Sequence, residues 1–164
     1  MKIYNILFLC TGNSARSIMA EAVASTTTNG RFIGYSAGSH PTGKVNPFAI
    51  EQIKTLNYPE TKLRSKSWDE FSQPGTPKMD FIITVCDNAA GEVCPVWPGN
   101  PVTAHWGFPD PAAAKGTDGK KRASFRKVFL GIKRRVELLA SLPLDTLDRM
   151  SIQAELRKIG NIKQ

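Results

Sequence analysis

The chain is 164 residues long, 41% hydrophobic and 22% charged, which fits one compact domain with a sizeable core and excludes disorder and collagen-like repetition. No apolar run approaches the ~18 residues needed to cross a bilayer, and residues 1–5 lack the charged, apolar, small-residue order of a secretory signal. The expectation is a soluble cytoplasmic protein with no membrane partner. The formal net charge of +8 is concentrated: residues 115–135 hold nine basic residues and one acidic one, and the remainder of the chain balances. The plain reading of such a patch is the solvated face of a helix. No aromatic interleaving or nucleic-acid motif accompanies it, which argues against a nucleic-acid partner.

Residues 3–9 form a short apolar run that stops at Cys10-Thr-Gly-Asn-Ser, after which Ile18, Met19, Ala22 and Val23 recur at helical spacing, a strand, tight loop and helix in succession. Residues 31–36 read as a second strand ended by Ala37-Gly38. Asn46-Pro47 is a cap followed by proline in the first turn of a helix over 46–56. A short helix is expected near Ser67 to Phe71. Residues 80–85 are continuous and β-branched, as in a strand buried on both faces, and end at Cys86.

A shorter strand at 102–105 leads into Trp106-Gly-Phe-Pro-Asp110-Pro111. Phe125, Val128, Phe129, Ile132, Val136, Leu139 and Leu142 mark one stripe of an amphipathic helix over 124–142, and residues 144–159 suggest a terminal helix. Alternating strands and helices imply βαβ units: an α/β, three-layer sandwich with a four-stranded parallel sheet and helices on both faces. Ligands bind such sheets beyond the carboxyl ends of the strands. Cys10, Cys86 and Asp110 would all gather there.

Three cysteines, Cys10, Cys86 and Cys94, are too few and too odd in number for a disulfide framework. The spacing of Cys86 and Cys94 lacks the close pairing of a zinc site, so no metal is expected. Residues 10–17 fit Cys-x5-Arg-Ser between strand and helix. In such a loop the backbone N–H groups of Thr11, Gly12, Asn13, Ser14, Ala15, Arg16 and Ser17 can form an anion nest, reinforced by the positive end of the helix. Gly12 and Asn13 suit the left-handed angles of the curl. The Arg16 guanidinium can hold two oxygens of a tetrahedral oxyanion at once. The same field should lower the pKa of Cys10, with the Ser17 hydroxyl as a further donor.

The loop, its position near the N-terminus and the downstream Asp110-Pro111 resemble the low-molecular-weight tyrosine phosphatase family, and more closely its arsenate reductase branch. Thr84-Val-Cys86-Asp, Cys94-Pro95 and His105-Trp-Gly-Phe-Pro-Asp110-Pro-Ala carry the closer likeness. The resemblance covers about residues 3–140. It implies a phosphatase-like catalytic domain over 1–142 and a C-terminal helical extension of the same domain over 143–164. Related phosphatases follow their Asp-Pro with tyrosines, whereas this chain has Ala112-Ala113-Ala114, which disfavours tyrosine phosphate as substrate.

The resemblance further implies that Cys10 attacks arsenate and that Asp110, as general acid, protonates the leaving oxygen. A second thiol then attacks Cys10 and releases arsenite. If Cys86 is that thiol, Cys94 resolves the Cys10–Cys86 disulfide and leaves Cys86–Cys94 for thioredoxin. In the alternative, glutathione attacks the adduct and glutaredoxin completes the cycle. Either way no cofactor is tightly bound and an external thiol reductant is required. The rival reading is a low-molecular-weight phosphatase working through a Cys10 phosphoenzyme. His105 and Trp106 are expected to pack beneath the loop, and His40 to serve a turn. A helix from Cys86 to Cys94 would separate them by about 12 Å, beyond the ~7 Å reach of a disulfide. That segment, with Asn88 and Gly91, must therefore be looped or unwind during turnover.

Overall fold

The computed structural model describes residues 2–91 and 97–162. Strands β1 (Tyr4–Leu9), β2 (Phe32–Ala37), β3 (Phe81–Thr84) and β4 (Val102–His105) form one parallel sheet in the order β2-β1-β3-β4. Helices α1 (Arg16–Thr26), α2 (Pro47–Ile53), α3 (Asp87–Ala90), α4 (Asp118–Ala140) and α5 (Arg149–Gly160) connect and cover it.

The strands in the middle of the sheet, β1 and β3, are apolar except at Asn5 and Thr84 because both faces are buried. Ile6, Phe8, Phe81 and Ile83 point into the larger core, where they meet Ile18, Met19 and Val23 of α1, Phe125 and Ile132 of α4, and Leu156 and Ile159 of α5. Leu7, Leu9 and Ile82 point the other way, against Met79 and Phe71, the latter on a 3-10 helix at Trp68–Phe71. Helices thus flank both faces. Ile6, Phe8 and Ile83 have no exposed surface, and burying each contributes about 1.5–3 kcal/mol.

Three elements differ from the sequence reading at their ends. α4 begins at Asp118, six residues before the apolar stripe, because the Thr117 hydroxyl accepts from the Lys120 N–H (3.3 Å) and starts the helix in the basic stretch. The stretch 144–159 divides into a 3-10 turn at Leu144–Thr146 and α5, whose N-cap Asp148 accepts from the Ser151 N–H (2.7 Å). α2 is shorter than expected and ends at Ile53; its cap is the Asn46 side chain, which accepts from the Phe48 N–H (2.9 Å).

The basic stretch is also less uniform than its composition suggests. Arg135 turns inward: its Nε and Nη2 donate to the carbonyls of Ile159 (3.2 Å) and Ile162 (3.1 Å), and its guanidinium lies 4.4 Å from the Phe108 ring centre. Arg122 pairs with Glu51. Among the described residues no helix is long and apolar enough to cross a membrane.

Candidate active site

β1 delivers Cys10 at its carboxyl end, where the Cys10 N–H still donates to the Ala37 carbonyl (3.2 Å). The chain then curls before α1 begins at Arg16. The carbonyls of the curl are tied outward: Thr11 accepts from the His40 N–H (2.9 Å), Gly12 from the Thr42 N–H (3.0 Å) and Ser14 from the Asn46 N–H (2.8 Å). A curl held by its carbonyls on the outside directs its N–H edges inward. α1 has no side-chain cap at Ala15, so its first N–H groups are open to an anion.

Gly38, at the end of β2, backs directly onto this curl. A Cβ there would lie 2.4 Å from the Thr11 carbonyl oxygen and 2.7 Å from that of Cys10. Only a residue without a side chain lets the loop sit where it does. Of the two residues expected to be left-handed, Asn13 is (φ 43°) and Gly12 is not. Asn13 is fully buried and acts as an internal strut. Its Oδ1 accepts from the Lys66 N–H (2.9 Å) and its Nδ2 donates to the Ser17 hydroxyl (2.8 Å).

The resulting cavity, about 180 Å³, is lined by Cys10, Thr11, Gly12, Ser14, Ala15 and Arg16 together with Cys86, Asp110 and Ala112. The side chains of Asn13 and Ser17 turn away from it toward each other. Arg16 is held in place by donating from Nη1 to the Phe108 carbonyl (2.9 Å), and its Nη2 lies 4.0 Å from Asp110 Oδ1. Asp110 Oδ1 also accepts from the Ala112 N–H (3.0 Å), which fixes the carboxyl at the rim. Cys94 lies outside the described residues, as do its neighbours over 92–96. α3 supplies a short helical turn directly after Cys86.

Electrostatics correct one expectation. Cys10 was expected to ionise beside Arg16, yet a hydrogen bond with Cys86 and burial push its thiol up, against the pull of Arg16. The same hydrogen bond pulls Cys86 down to about 5, helped by the Ala89 and Thr11 N–H groups and opposed by burial. Two adjacent buried thiols titrate as one unit with one proton between them.

His105 is a second correction. It does not lie beneath the loop but stands half-exposed at the end of β4, bonded through Nδ1 to Thr84 Oγ1 (2.7 Å) and through Nε2 to Asp87 Oδ1 (2.9 Å). Trp106 is fully buried against Phe8, and its indole N–H donates to the Leu156 carbonyl (3.0 Å).

The sequence reading also passed over a buried polar cluster behind the loop. Glu21 Oε1 accepts from the Ser36 hydroxyl (2.6 Å), its Oε2 accepts from the Tyr58 hydroxyl (2.5 Å), and the Lys66 ammonium lies 3.5 Å from Oε1. Lys66 further donates to Ser36 Oγ (3.3 Å) and the Arg64 carbonyl (3.0 Å). These residues are scattered over 46 positions of chain, so no local pattern marks them. Among the described residues no group of three or more His, Cys, Asp or Glu side chains converges as a metal site.

Residues 5–155 match the family model for low molecular weight phosphotyrosine protein phosphatase. The chain belongs to this family. An arsenate reductase of Halalkalibacterium halodurans is 42% identical over 135 residues, spanning 82% of this chain and 94% of the relative. The arsenate reductase of Bacillus subtilis is 36% identical over the same shares of both chains. Among solved structures, an arsenate reductase from Archaeoglobus fulgidus superposes with a TM-score of 0.61 at 27% identity, covering 84% of this chain and 99% of the other. The phosphatase family's parallel sheet and oxyanion loop are thus shared with relatives named for a redox reaction.

Proposed function

We propose that this chain reduces arsenate to arsenite with Cys10 as nucleophile. One observation carries the reading beyond hydrolysis: a second thiol, Cys86, lines the same small cavity and is hydrogen-bonded to the first. Phosphate hydrolysis through a phosphoenzyme needs only one thiol. The names of the relatives described above support the same assignment.

In the proposed cycle arsenate enters the cup, where loop N–H groups and Arg16 hold its oxygens. Cys10 Sγ bonds to arsenic, and its proton passes to Cys86. One oxygen leaves as water, protonated by Asp110. Cys86, having passed that proton to the Asp110 carboxylate in the same cavity, attacks Cys10 Sγ. The S–S bond forms, the S–As bond breaks, and its electron pair stays on arsenic, taking As(V) to As(III) as arsenite. Two thiols have become one disulfide. Cys94 then attacks Cys86, freeing Cys10 as a thiolate and leaving a Cys86–Cys94 disulfide for an external thiol. That donor is thioredoxin, or glutathione with glutaredoxin.

Catalytic parts fall within residues 1–142, and 143–164 forms an extension of the same domain. This division is supported by the bond from Trp106 to Leu156 and by that from Arg135 to Ile159. Reconstitution with arsenate tests the function, comparing thioredoxin with glutathione plus glutaredoxin. Arsenite should appear at multiple turnovers with one donor, and Cys86→Ser should stop after the first half-reaction. Unimpaired turnover in Cys86→Ser and Cys94→Ser would remove both redox roles and favour phosphate chemistry through Cys10, Arg16 and Asp110 alone.

A further inference from the structure

Immediately after Cys86, the chain is fastened to the next strand by a side-chain clasp. β3 and β4 end in register, Thr84 opposite His105. The imidazole of His105 spans the gap, meeting Thr84 Oγ1 at Nδ1 (2.7 Å) and Asp87 Oδ1 at Nε2 (2.9 Å). Backbone bonds continue the seam: the Trp106 N–H donates to the Thr84 carbonyl (2.8 Å) and the Phe108 N–H to the Val85 carbonyl (3.2 Å). Phe108 in turn holds Arg16. Cys86 is the next residue in line, and Asp87 opens α3 directly after it.

Two features mark the clasp as built. Gly107 faces it so closely that a Cβ there would lie 3.0 Å from His105 Nε2 and 3.1 Å from Asp87 Oδ1. A methyl there would crowd both groups and shift each by a few tenths of an ångström. The chemistry is also self-consistent in either charge state of the ring. With Nε2–H donating to Asp87, a neutral imidazole accepts at Nδ1 from the Thr84 hydroxyl, and a protonated one donates there to the same oxygen. The cavity that His105 lines is also lined by Gln153 and Arg157 of α5 and by Asn161 at its C-cap, of which Arg157 is charged.

We propose that Asp87 and His105 are positioning residues for Cys86. They hold its thiol at the wall of the anion cup for attack on Cys10, and they let go when Cys86 turns to Cys94. This inference rests on the relay reading of Cys86. The clasp touches neither the anion nor Cys10, so it acts on one step only, formation of the Cys10–Cys86 bond. The Asp87 carboxylate is almost wholly in water, so its hold is modest and easily released; exposed pairs of this kind are worth factors of up to about five in an equilibrium or rate.

A single-turnover experiment tests it. Reduced protein is mixed with one equivalent of arsenate and no external thiol, and loss of free thiols is followed in time, with inorganic phosphate binding measured separately. Asp87→Ala and His105→Ala should lose thiols about fivefold more slowly with phosphate affinity unchanged. Asp87→Asn, whose Oδ1 still accepts from Nε2–H, should restore most of the rate. Thiol loss at the native rate in Asp87→Ala, or a parallel fall in phosphate affinity, overturns the positioning role. Cys86→Ser is the control for the reading beneath: if it still loses two thiols at the native rate, the relay itself is wrong and the clasp's role falls with it. Native-rate loss in Asp87→Ala alone, with Cys86→Ser inactive, condemns only the clasp.

Discussion

Cys10 and Cys86 share one proton at the mouth of the oxyanion loop: the bond between them and burial push the Cys10 thiol up, and the same bond pulls Cys86 down to about 5. Thiolate absorbance of the reduced, ligand-free protein should therefore rise with a midpoint near pH 5. Cys86→Ala should abolish that step and let Cys10 titrate lower than it does in the pair, because the partner that raises it has gone while Arg16 remains.

The same pair makes stability depend on pH. Cys86 ionises more readily folded than at its ordinary thiol value of 9.0, so its contribution is fully present above that value and is lost as pH falls through about 5. Cys10 is raised, so its contribution is present below the ordinary value and is lost as pH climbs beyond it. Denaturant midpoints of the reduced protein should rise between about pH 5 and 9 and decline above. A rise of equal size in Cys86→Ala would show that other groups are responsible.

Asp110→Asn keeps the acceptor that takes the Ala112 N–H but removes the transferable proton. The rate of the first half-reaction should fall by about 10²–10⁴, with phosphate affinity little changed. Pre-steady-state formation of the Cys10 adduct, followed by mass, distinguishes this from a binding defect.

Breaking the cluster behind the loop should cost stability more than chemistry. Lys66→Met leaves the Glu21 carboxylate buried without its cation, which costs about 3–5 kcal/mol. The double variant Glu21→Gln/Lys66→Met should recover most of the loss. Since Asn13 is held by the Lys66 backbone N–H rather than its ammonium, the phosphate affinity of whatever folds should survive, and thermal unfolding with phosphate titration reads both.

Gly38→Ala places a methyl 2.4 Å from the Thr11 carbonyl oxygen. Overpacking of this kind costs about 1–3 kcal/mol, and here the displaced atoms are those of the anion loop. Phosphate affinity should drop together with thermal stability, whereas Gly75→Ala, on an exposed turn, should leave affinity alone.

What could be read from the chain ahead of the structure was whatever is encoded locally. The β-branched, largely apolar run at 80–85 announces a strand covered on both sides, and Cys-x5-Arg-Ser between strand and helix announces an anion loop. The start of α4 escaped because a single hydroxyl, Thr117, sets it within residues that carry no apolar period. His105 sits elsewhere than its sequence suggests because its partners, Thr84 at the end of β3 and Asp87 at the start of α3, lie some twenty positions earlier, and the register of β3 with β4 brings them together. The upward push on the Cys10 thiol is hidden for a similar reason. Arg16 is visible six residues along the chain, but Cys86, whose hydrogen bond outweighs it, arrives through the fold. Arg135 looked like one more surface charge until α5 came to rest on α4.

The bond from Trp106 to Leu156 and the stacking of Arg135 on Phe108 have a practical side. Through them the last helix props up the very peptide that steadies Arg16. Shortening the protein at its carboxyl end, or crowding that end with a bulky fusion, would thus tamper with catalysis from the far side of the molecule, and an amino-terminal tag is the safer choice for enzymology.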